Sequence, residues 1–270
     1  MAAVALTIAG SDPSGGAGLQ ADLKTFHQFG VYGEAAVTLI TVQNTRSVER
    51  VVPLEARLVT EQIRAVIEDI RPQAAKTGAL GSAEIIEAVA EMAQTFAFPL
   101  VVDPVMVSKH GARLLAPESE QTLKEKFLQH AFLVTPNIPE AEALAGMVIR
   151  NEDDTVKAAK KLLESGCRNV LIKGGHTVGE PNDLLVGNDV ARWFAGKRVT
   201  TRHTHGTGCI YSAAITANLA LGLSLQDAVQ EAKCFIQLAI ESAPELGGGY
   251  GPVNHFAASR RGHKTACDTR

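Results

Sequence analysis

The sequence predicts a three-layer α/β/α sandwich built around a largely parallel central sheet. Three observations carry that reading. Short apolar runs of strand length alternate with longer segments whose apolar residues recur at helical spacing. Most of the strand-like runs end in a glycine-rich or polar loop, and α/β proteins gather ligands at the carboxyl ends of their strands. The 270 residues run without a linker, internal repeat or low-complexity tract, and that length can bury one large core. The pattern places one domain over residues 1–258 and a frayed polar tail over 259–270.

Taken in order, Val4 to Ala9 is a first buried strand. It runs into the glycine-rich stretch 10–18, ahead of an amphipathic helix marked by Leu19, Leu23 and Phe26. So much glycine allows close backbone approach to a ligand, or simply a flexible turn. The stretch is neither G-x-G-x-x-G followed by a distant acid nor Gly-Lys-Ser/Thr, which disfavours a dinucleotide site and a Walker ATPase. Ala35 to Val42 is a second strand, ending in Gln43-Asn44-Thr45. A glutamine there can read a ring nitrogen and an exocyclic amine in one plane. The competing reading is a turn satisfied by its own side chains. Val59, Ile63, Val66, Ile67 and Ile70 form one helical face that stops at Pro72.

Ala74 to Lys76 is a short strand, and Ser82 suits the cap of the next helix. Leu100 to Val102 ends at Asp103, a carboxylate suited equally to magnesium or phosphate chemistry and to capping a turn. Phe132 to Val134 precedes Asn137-Ile138-Pro139-Glu140, which has the form of a capping box. Val170 to Lys173 leads to Gly174-Gly175-His176, where Lys173 either touches nucleotide phosphates or crosses the surface. Leu184–Val186 and Val190–Phe194 read as an edge hairpin, with Trp193 and the other aromatics expected in the core. A last amphipathic helix starts near Ser224.

Composition removes several classes of function. The net charge is −3 with no basic stripe, which argues against nucleic acid and anionic membrane partners. No apolar run is long enough to span a bilayer, and the amino terminus lacks the basic region of a signal peptide. The four cysteines (167, 209, 234, 267) form no C-x-x-C pair. Zinc and redox motifs are therefore not expected, and a reducing cytoplasm is.

The richest stretch is His205-Gly206-Thr207-Gly208-Cys209, followed at once by an alanine-rich apolar helix. Freed amides at the positive end of a helix dipole form an anion site. Cys209 in that first turn is expected to lose its proton more easily, and so to serve as nucleophile or base; the plain alternative is a small packing residue. His205 reads as a turn or surface residue. No base with an orienting partner is evident, so phosphoryl transfer fits better than hydrolysis.

Seven motifs occur in order: Thr7 to Gly18, Gln43-Asn44-Thr45, Lys76-Thr77-Gly78, Asp103 to Val107, Thr135-Pro136-Asn137 with Glu140, Lys173 to His176, and His203 to Cys209. Together they resemble the hydroxymethylpyrimidine/phosphomethylpyrimidine kinases of thiamine biosynthesis, in the ribokinase-like superfamily, over about Val4 to Phe256. The resemblance implies two ATP-dependent steps: phosphorylation of 4-amino-5-hydroxymethyl-2-methylpyrimidine, then of its monophosphate. It implies Cys209 as the base, with Gly206, Thr207 and Gly208 as the anion hole. Ala17, Asp22, Gln43 and Val105 line the pyrimidine pocket, with Ala79 in its wall. Lys173, Gly175 and Asn137 lie on the nucleotide side, and Glu140 with Asp103 serves Mg²⁺. It also implies a homodimer and leaves a monovalent-cation requirement open. Many relatives carry methionine where this chain has Ala79, and often Thr-Leu-Ser where it has Ile210-Tyr211-Ser212. The roomier wall at Ala79 brings a pyridoxal-type kinase into view as a second reading, and a non-catalytic pyrimidine sensor is a third.

Overall fold

The structure, a computed structural model, describes residues 2–176 and 179–257. The tail expected over 259–270 lies outside the described residues. Nine strands form one sheet in the order β3-β2-β1-β4-β5-β6-β7-β8-β9. In chain order they are β1 (Val4–Ser11), β2 (Tyr32–Gln43), β3 (Val48–Pro53), β4 (Ala74–Thr77), β5 (Leu100–Val102), β6 (Leu133–Val134), β7 (Asn169–Ile172), β8 (Asp183–Gly187) and β9 (Val190–Phe194). The pairs from β2 through β7 are parallel, and β3, β8 and β9 close the edges antiparallel.

Helices α1 (Gly18–Gln28), α7 (Thr207–Ala220) and α8 (Leu225–Glu241) cover one face. Their core includes Phe26, Ile210, Ala213, Ala214, Ala217 and Phe235. On the other face lie α2 (Ala56–Asp69), α3 (Ala83–Ala93), the short α4 (Pro117–Thr122), α5 (Ile138–Ala145) and α6 (Glu152–Leu163). Val59, Ile63, Ile85, Ile86 and Leu162 anchor that second core. The helix starts follow from the sequence. Ser82, Asn151 and Ser224 each accept a backbone N–H at the first turn of α3, α6 and α8. Asn137 and Glu140 close a full capping box on α5.

Strand β1 has β2 on one side and β4 on the other. The chain order reverses there, the position at which open α/β sheets gather ligands. The loop 12–17 leaves β1 at that point. Helix α7 is apolar nearly all round because it is sandwiched between the sheet and α1 and α8. Its alanines let it approach closely.

Two expectations fail. Strand β3 was not anticipated: it is a half-exposed edge strand whose sequence, Val-Glu-Arg-Val-Val-Pro, offers no buried run. Trp193 does not fill the core. It is 37 % exposed on edge strand β9, whereas Phe26, Phe127, Phe194 and Phe235 are enclosed.

Glu34, in β2, is buried against the second core layer, and its Oε2 has no hydrogen-bond partner. Burial first, then the Asp69 carboxylate, pushes its pKa up to about 7. The folded state therefore holds this proton more tightly than the unfolded chain does. Stability falls as pH rises from the usual carboxylate range through 7. Glu34→Gln is expected to raise the melting temperature by about 2 °C or more at pH 8, with the gain vanishing near pH 5; thermal unfolding at both pH values checks this.

Candidate active site

The loops after β1, β5, β6 and β7 meet the start of α7 at the carboxyl edge of the sheet. Gly206 is the N-cap of α7, in the left-handed region at φ 79°. A Cβ there would lie 1.8 Å from the Gly16 carbonyl oxygen, so only glycine allows the turn to rest on the loop 12–17. Thr207, Gly208 and Cys209 follow as the first three helical residues. The first N–H groups of a helix lack intrahelical acceptors and face outward with the positive end of the dipole. The helix start thus falls on the glycine turn that the sequence singled out. Thr207 Oγ1 also donates to the Thr204 carbonyl at 2.5 Å, which tightens the turn from behind.

Two charge pairs underlie it. Lys173 Nζ donates to Asp103 Oδ1 at 2.8 Å. Both groups lie beside Gly208: a Cβ on that residue would come within 3.3 Å of Lys173 Nζ and 3.8 Å of Asp103 Oδ2. Burial opposes the Lys173 charge, but Asp103 and Glu140 outweigh it and hold the ammonium above its usual range. Asp103 is held below the carboxylate range, because Lys173 and Lys76 overcome its burial. Thr135 donates to its Oδ1 and Ser212 to its Oδ2, each at 3.2 Å.

Glu140 lies in the same cluster. Burial lifts its pKa to about 7 against the pull of Lys173. One of its oxygens accepts the Asn137 N–H at 2.8 Å in the capping box. Asn137 bridges Lys173 as a parallel pair. The capping box of Asn137 and Glu140 therefore lies directly against Lys173.

The second pair lies one layer deeper. Lys76 and Asp22 are wholly enclosed, with Nζ 2.7 Å from Asp22 Oδ1. Thr7 Oγ1 donates to the other carboxylate oxygen at 2.6 Å. Burial opposes the Lys76 charge, and Asp22, then Cys209 and Asp103, hold the ammonium above its usual range. Lys76 also donates to the Cys209 carbonyl at 3.4 Å. Asp22, which the family resemblance assigns to the substrate pocket, is thus held by Lys76 and Thr7.

The Cys209 thiol needs the largest correction. It receives the Gly18 N–H at the start of α1, so two helix N-termini converge on it. Even so, burial dominates and pushes its pKa up to about 11; Lys76 and the Gly18 N–H pull it down, while Asp22 and Asp103 push it up. Burial therefore works against the easy deprotonation that the helix start suggested.

His205 is also not the surface residue expected. It is buried, with Nε2 2.8 Å from Asp12 Oδ2. Burial opposes the Asp12 charge, yet the His205 and Ser14 hydrogen bonds bring its pKa down to about 2.

The remaining expected residues lie around this centre. Ala17 is the N-cap of α1 and gives its N–H to Asp12 Oδ2 at 2.9 Å. Val105 follows β5 in a tight turn, its N–H on the Asp103 carbonyl at 2.8 Å. Ala79 follows β4, and its carbonyl accepts Thr38 Oγ1 at 2.6 Å. Gln43 ends β2, half-buried. The convergence runs from the loop 12–17 to Lys173 and α7, with Gln43 and Ala79 at the carboxyl ends of β2 and β4. Gly175 lies open in the turn after β7, its carbonyl taking Arg198 Nη1 at 3.3 Å.

Among the described residues, no group of three or more His, Cys, Asp or Glu is arranged to hold a metal. Sequence reasoning also passed over Lys109 and Arg198. His176 has its pKa lowered by burial and then by Lys109, Lys173 and Arg198. Positive charge therefore gathers beside Gly175, on the side expected for nucleotide phosphates. The signal for Lys76 was present: a lysine inside a short buried strand requires a buried partner.

The family model described as phosphomethylpyrimidine kinase matches residues 12–254. The chain belongs to this family. Among phosphomethylpyrimidine kinase relatives, the Bacillus subtilis hydroxymethylpyrimidine/phosphomethylpyrimidine kinase is 46% identical over 265 residues, covering 97% of this chain and 98% of its own. The solved phosphomethylpyrimidine kinase of Clostridium difficile is 44% identical, with a TM-score of 0.78 over 87% of this chain and 97% of its own. The fold also matches an ADP complex of Bacillus subtilis pyridoxal kinase, at 38% identity and a TM-score of 0.87 over 95% and 98% of the two chains. The α/β architecture is accordingly that of the ribokinase-like kinases.

A thiol with a pKa of about 11 is almost wholly protonated at neutral pH. In the ligand-free protein, alkylation of Cys209 by iodoacetamide should accelerate about tenfold per pH unit between pH 7 and 9, because only the thiolate reacts. Site-resolved mass spectrometry reads this. A rate levelling off near pH 8 would mean that the helix N-termini prevail over burial.

Proposed function

We propose that this chain is a bifunctional kinase of thiamine biosynthesis. It transfers a phosphoryl group from ATP to 4-amino-5-hydroxymethyl-2-methylpyrimidine and then a second to the resulting monophosphate. The observation that carries the reading is the first turn of α7 with the Lys173–Asp103 pair laid beside Gly208, in a chain of the phosphomethylpyrimidine kinase family. Phosphoryl transfer asks the protein for position and charge rather than covalent chemistry, and this arrangement supplies both.

In the first step the substrate's hydroxymethyl oxygen bonds to the γ-phosphorus. The bond to the bridging oxygen breaks, and ADP leaves with that electron pair. The N–H groups of Thr207, Gly208 and Cys209, with Lys173, hold the oxygens of the migrating group. The Cys209 thiol, protonated at rest, first loses its proton to solvent, and the resulting thiolate takes the hydroxyl proton as the oxygen bonds to phosphorus, ending as the thiol. A loose transition state, in which that proton leaves late, asks little of the base. Lys76 acts from below as the cation that draws the thiol pKa down. Gln43 reads the aminopyrimidine edge, and Ala17, Val105 and Ala79 shape the pocket. Asp22 supports the pocket floor through Lys76. Gly175 with His176, Lys109 and Arg198 faces the nucleotide.

Mg²⁺ accompanies the ATP phosphates and asks for only one or two protein carboxylates. When bound it offsets the negative charge of the polyphosphate. Glu140 fits that place, since its carboxyl, with a pKa of about 7, is ready to ionise beside a cation. Asp103 fits less well, because both of its oxygens already accept hydrogen bonds. The reading also includes a homodimer, supported by Ile40, Val42 and Val52, which lie exposed on β2 and β3 at the sheet edge. It includes a cytoplasmic location, supported by the free thiols of Cys167 and Cys209. No described helix is long and apolar enough to cross a membrane.

A second reading, a pyridoxal-type kinase, has the pyridoxal kinase fold match and the small Ala79 side chain in its favour. One assay decides among the readings. Incubation with the pyrimidine, Mg²⁺ and ATP is expected to give the monophosphate and then the diphosphate, with a higher kcat/KM than for pyridoxal. The reverse preference would establish the pyridoxal reading, and no transfer to either would leave a sensor. Cys209→Ala should lose about 100-fold or more in kcat while still binding pyrimidine in calorimetry; wild-type turnover in that variant would reduce Cys209 to packing.

A further inference from the structure

Three chain segments far apart in sequence meet at His205. Its Nε2 is 2.8 Å from Asp12 Oδ2, with both side chains about 5 % exposed or less. Its N–H donates to the Gly251 carbonyl at 3.0 Å, and it bridges Pro252 in the carboxyl-terminal loop. Asp12 in turn organises the loop 12–17. Its Oδ1 accepts the Ser14 N–H at 2.9 Å and Ser14 Oγ at 2.7 Å, and its Oδ2 accepts the Ala17 N–H at 2.9 Å.

The two loops so joined are in backbone contact. A Cβ on Gly16 would meet His205 Cδ2 at 2.6 Å, and one on Gly206 would meet the Gly16 carbonyl oxygen at 1.8 Å. The Asp12–His205 pair therefore fastens the loop assigned to the substrate onto the residue directly before the phosphoryl-binding turn. The joint has no slack, because glycine is required on both sides of it.

We propose that Asp12 and His205 form a positioning pair that sets the distance between the substrate's attacking oxygen and the phosphoryl group held by Gly206 to Cys209. The inference rests on the sequential-kinase reading above. That reading also makes the pair's role measurable. In the first reaction the attacking oxygen is a hydroxymethyl oxygen. In the second it belongs to a phosphate attached to that oxygen, so the acceptor reaches further from the ring. A single loop-to-turn spacing must serve both, and a change of spacing shifts the two rates unequally. Reacting atoms displaced by about 1 Å lose about 100-fold in rate.

The test measures kcat and KM of both phosphorylations on one preparation of each enzyme. The ratio of the two kcat values cancels the active fraction, so partial unfolding does not move it. His205→Leu removes the bond to Asp12. It is expected to lower at least one kcat about 100-fold, change the kcat ratio at least about tenfold, and leave the ATP KM near the parent value. His205→Gln, whose amide N–H can again reach Asp12, should restore most of both. If His205→Leu yields no folded protein, Asp12→Asn carries the same comparison. The proposal is overturned if both steps keep parental kcat, if they fall by the same factor with the ratio unchanged, or if His205→Gln restores neither. Failure of the kinase reading itself would appear separately, as absence of either product with the parent enzyme.

Discussion

One lysine ammonium group is fully enclosed and a second is largely so, and the carboxyl edge of the sheet is arranged around neutralising them. Lys76 meets Asp22 with both side chains fully enclosed. Lys173 meets Asp103 at 12 % and 2 % exposure. A buried charge is tolerated only with a partner and hydrogen bonds to match, so each lysine dictates where a carboxylate must sit. Asp22 comes from α1, Asp103 from the end of β5, Lys76 from β4 and Lys173 from the end of β7. Four elements are drawn to one place, and α7 starts on top of them. The anion turn thus has a charged floor as well as open amides.

That floor also explains the Cys209 thiol. A helix N-terminus favours a thiolate by a modest amount, and here two of them point at the sulfur. Yet the sulfur is packed into a largely enclosed turn, and Asp22 and Asp103 work against the ionisation that Lys76 favours. Desolvation then decides the sign. A low-dielectric site raises the cost of a resting thiolate, and it also strengthens the attraction between Lys173, the turn amides and a migrating phosphoryl group. On the proposed kinase reading, the environment that strengthens the hold on a phosphoryl group also makes the thiolate base scarce.

How much was legible in the sequence depended on the range of the interaction. The capping box of Asn137 and Glu140, the Ser82 and Ser224 caps and the glycine turn at 206–208 are encoded within a few residues, and they fold as read. The edge hairpin of β8 and β9 is equally local. Asp22 with Lys76, Asp103 with Lys173 and Asp12 with His205 span 54, 70 and 193 residues. Periodicity carries no sign of such partners. His205 therefore read as a turn residue and Cys209 as a reactive thiol, and nothing local tied Asp22 to Lys76. Strand β3 escaped for another reason: an edge strand needs no buried face, so its half-exposed sequence left no alternation to find.

The central claim is that the first turn of α7, with Lys173 beside it, is where the phosphoryl group changes hands. A crystal structure of the protein with the pyrimidine and a non-hydrolysable ATP analogue tests this most directly. The account predicts the γ-phosphoryl oxygens within hydrogen-bonding distance of the Gly208 and Cys209 N–H groups and Lys173 Nζ, with the substrate's hydroxymethyl oxygen between the phosphorus and the Cys209 sulfur. A γ-phosphoryl group bound elsewhere, with this turn occupied only by water, would contradict it.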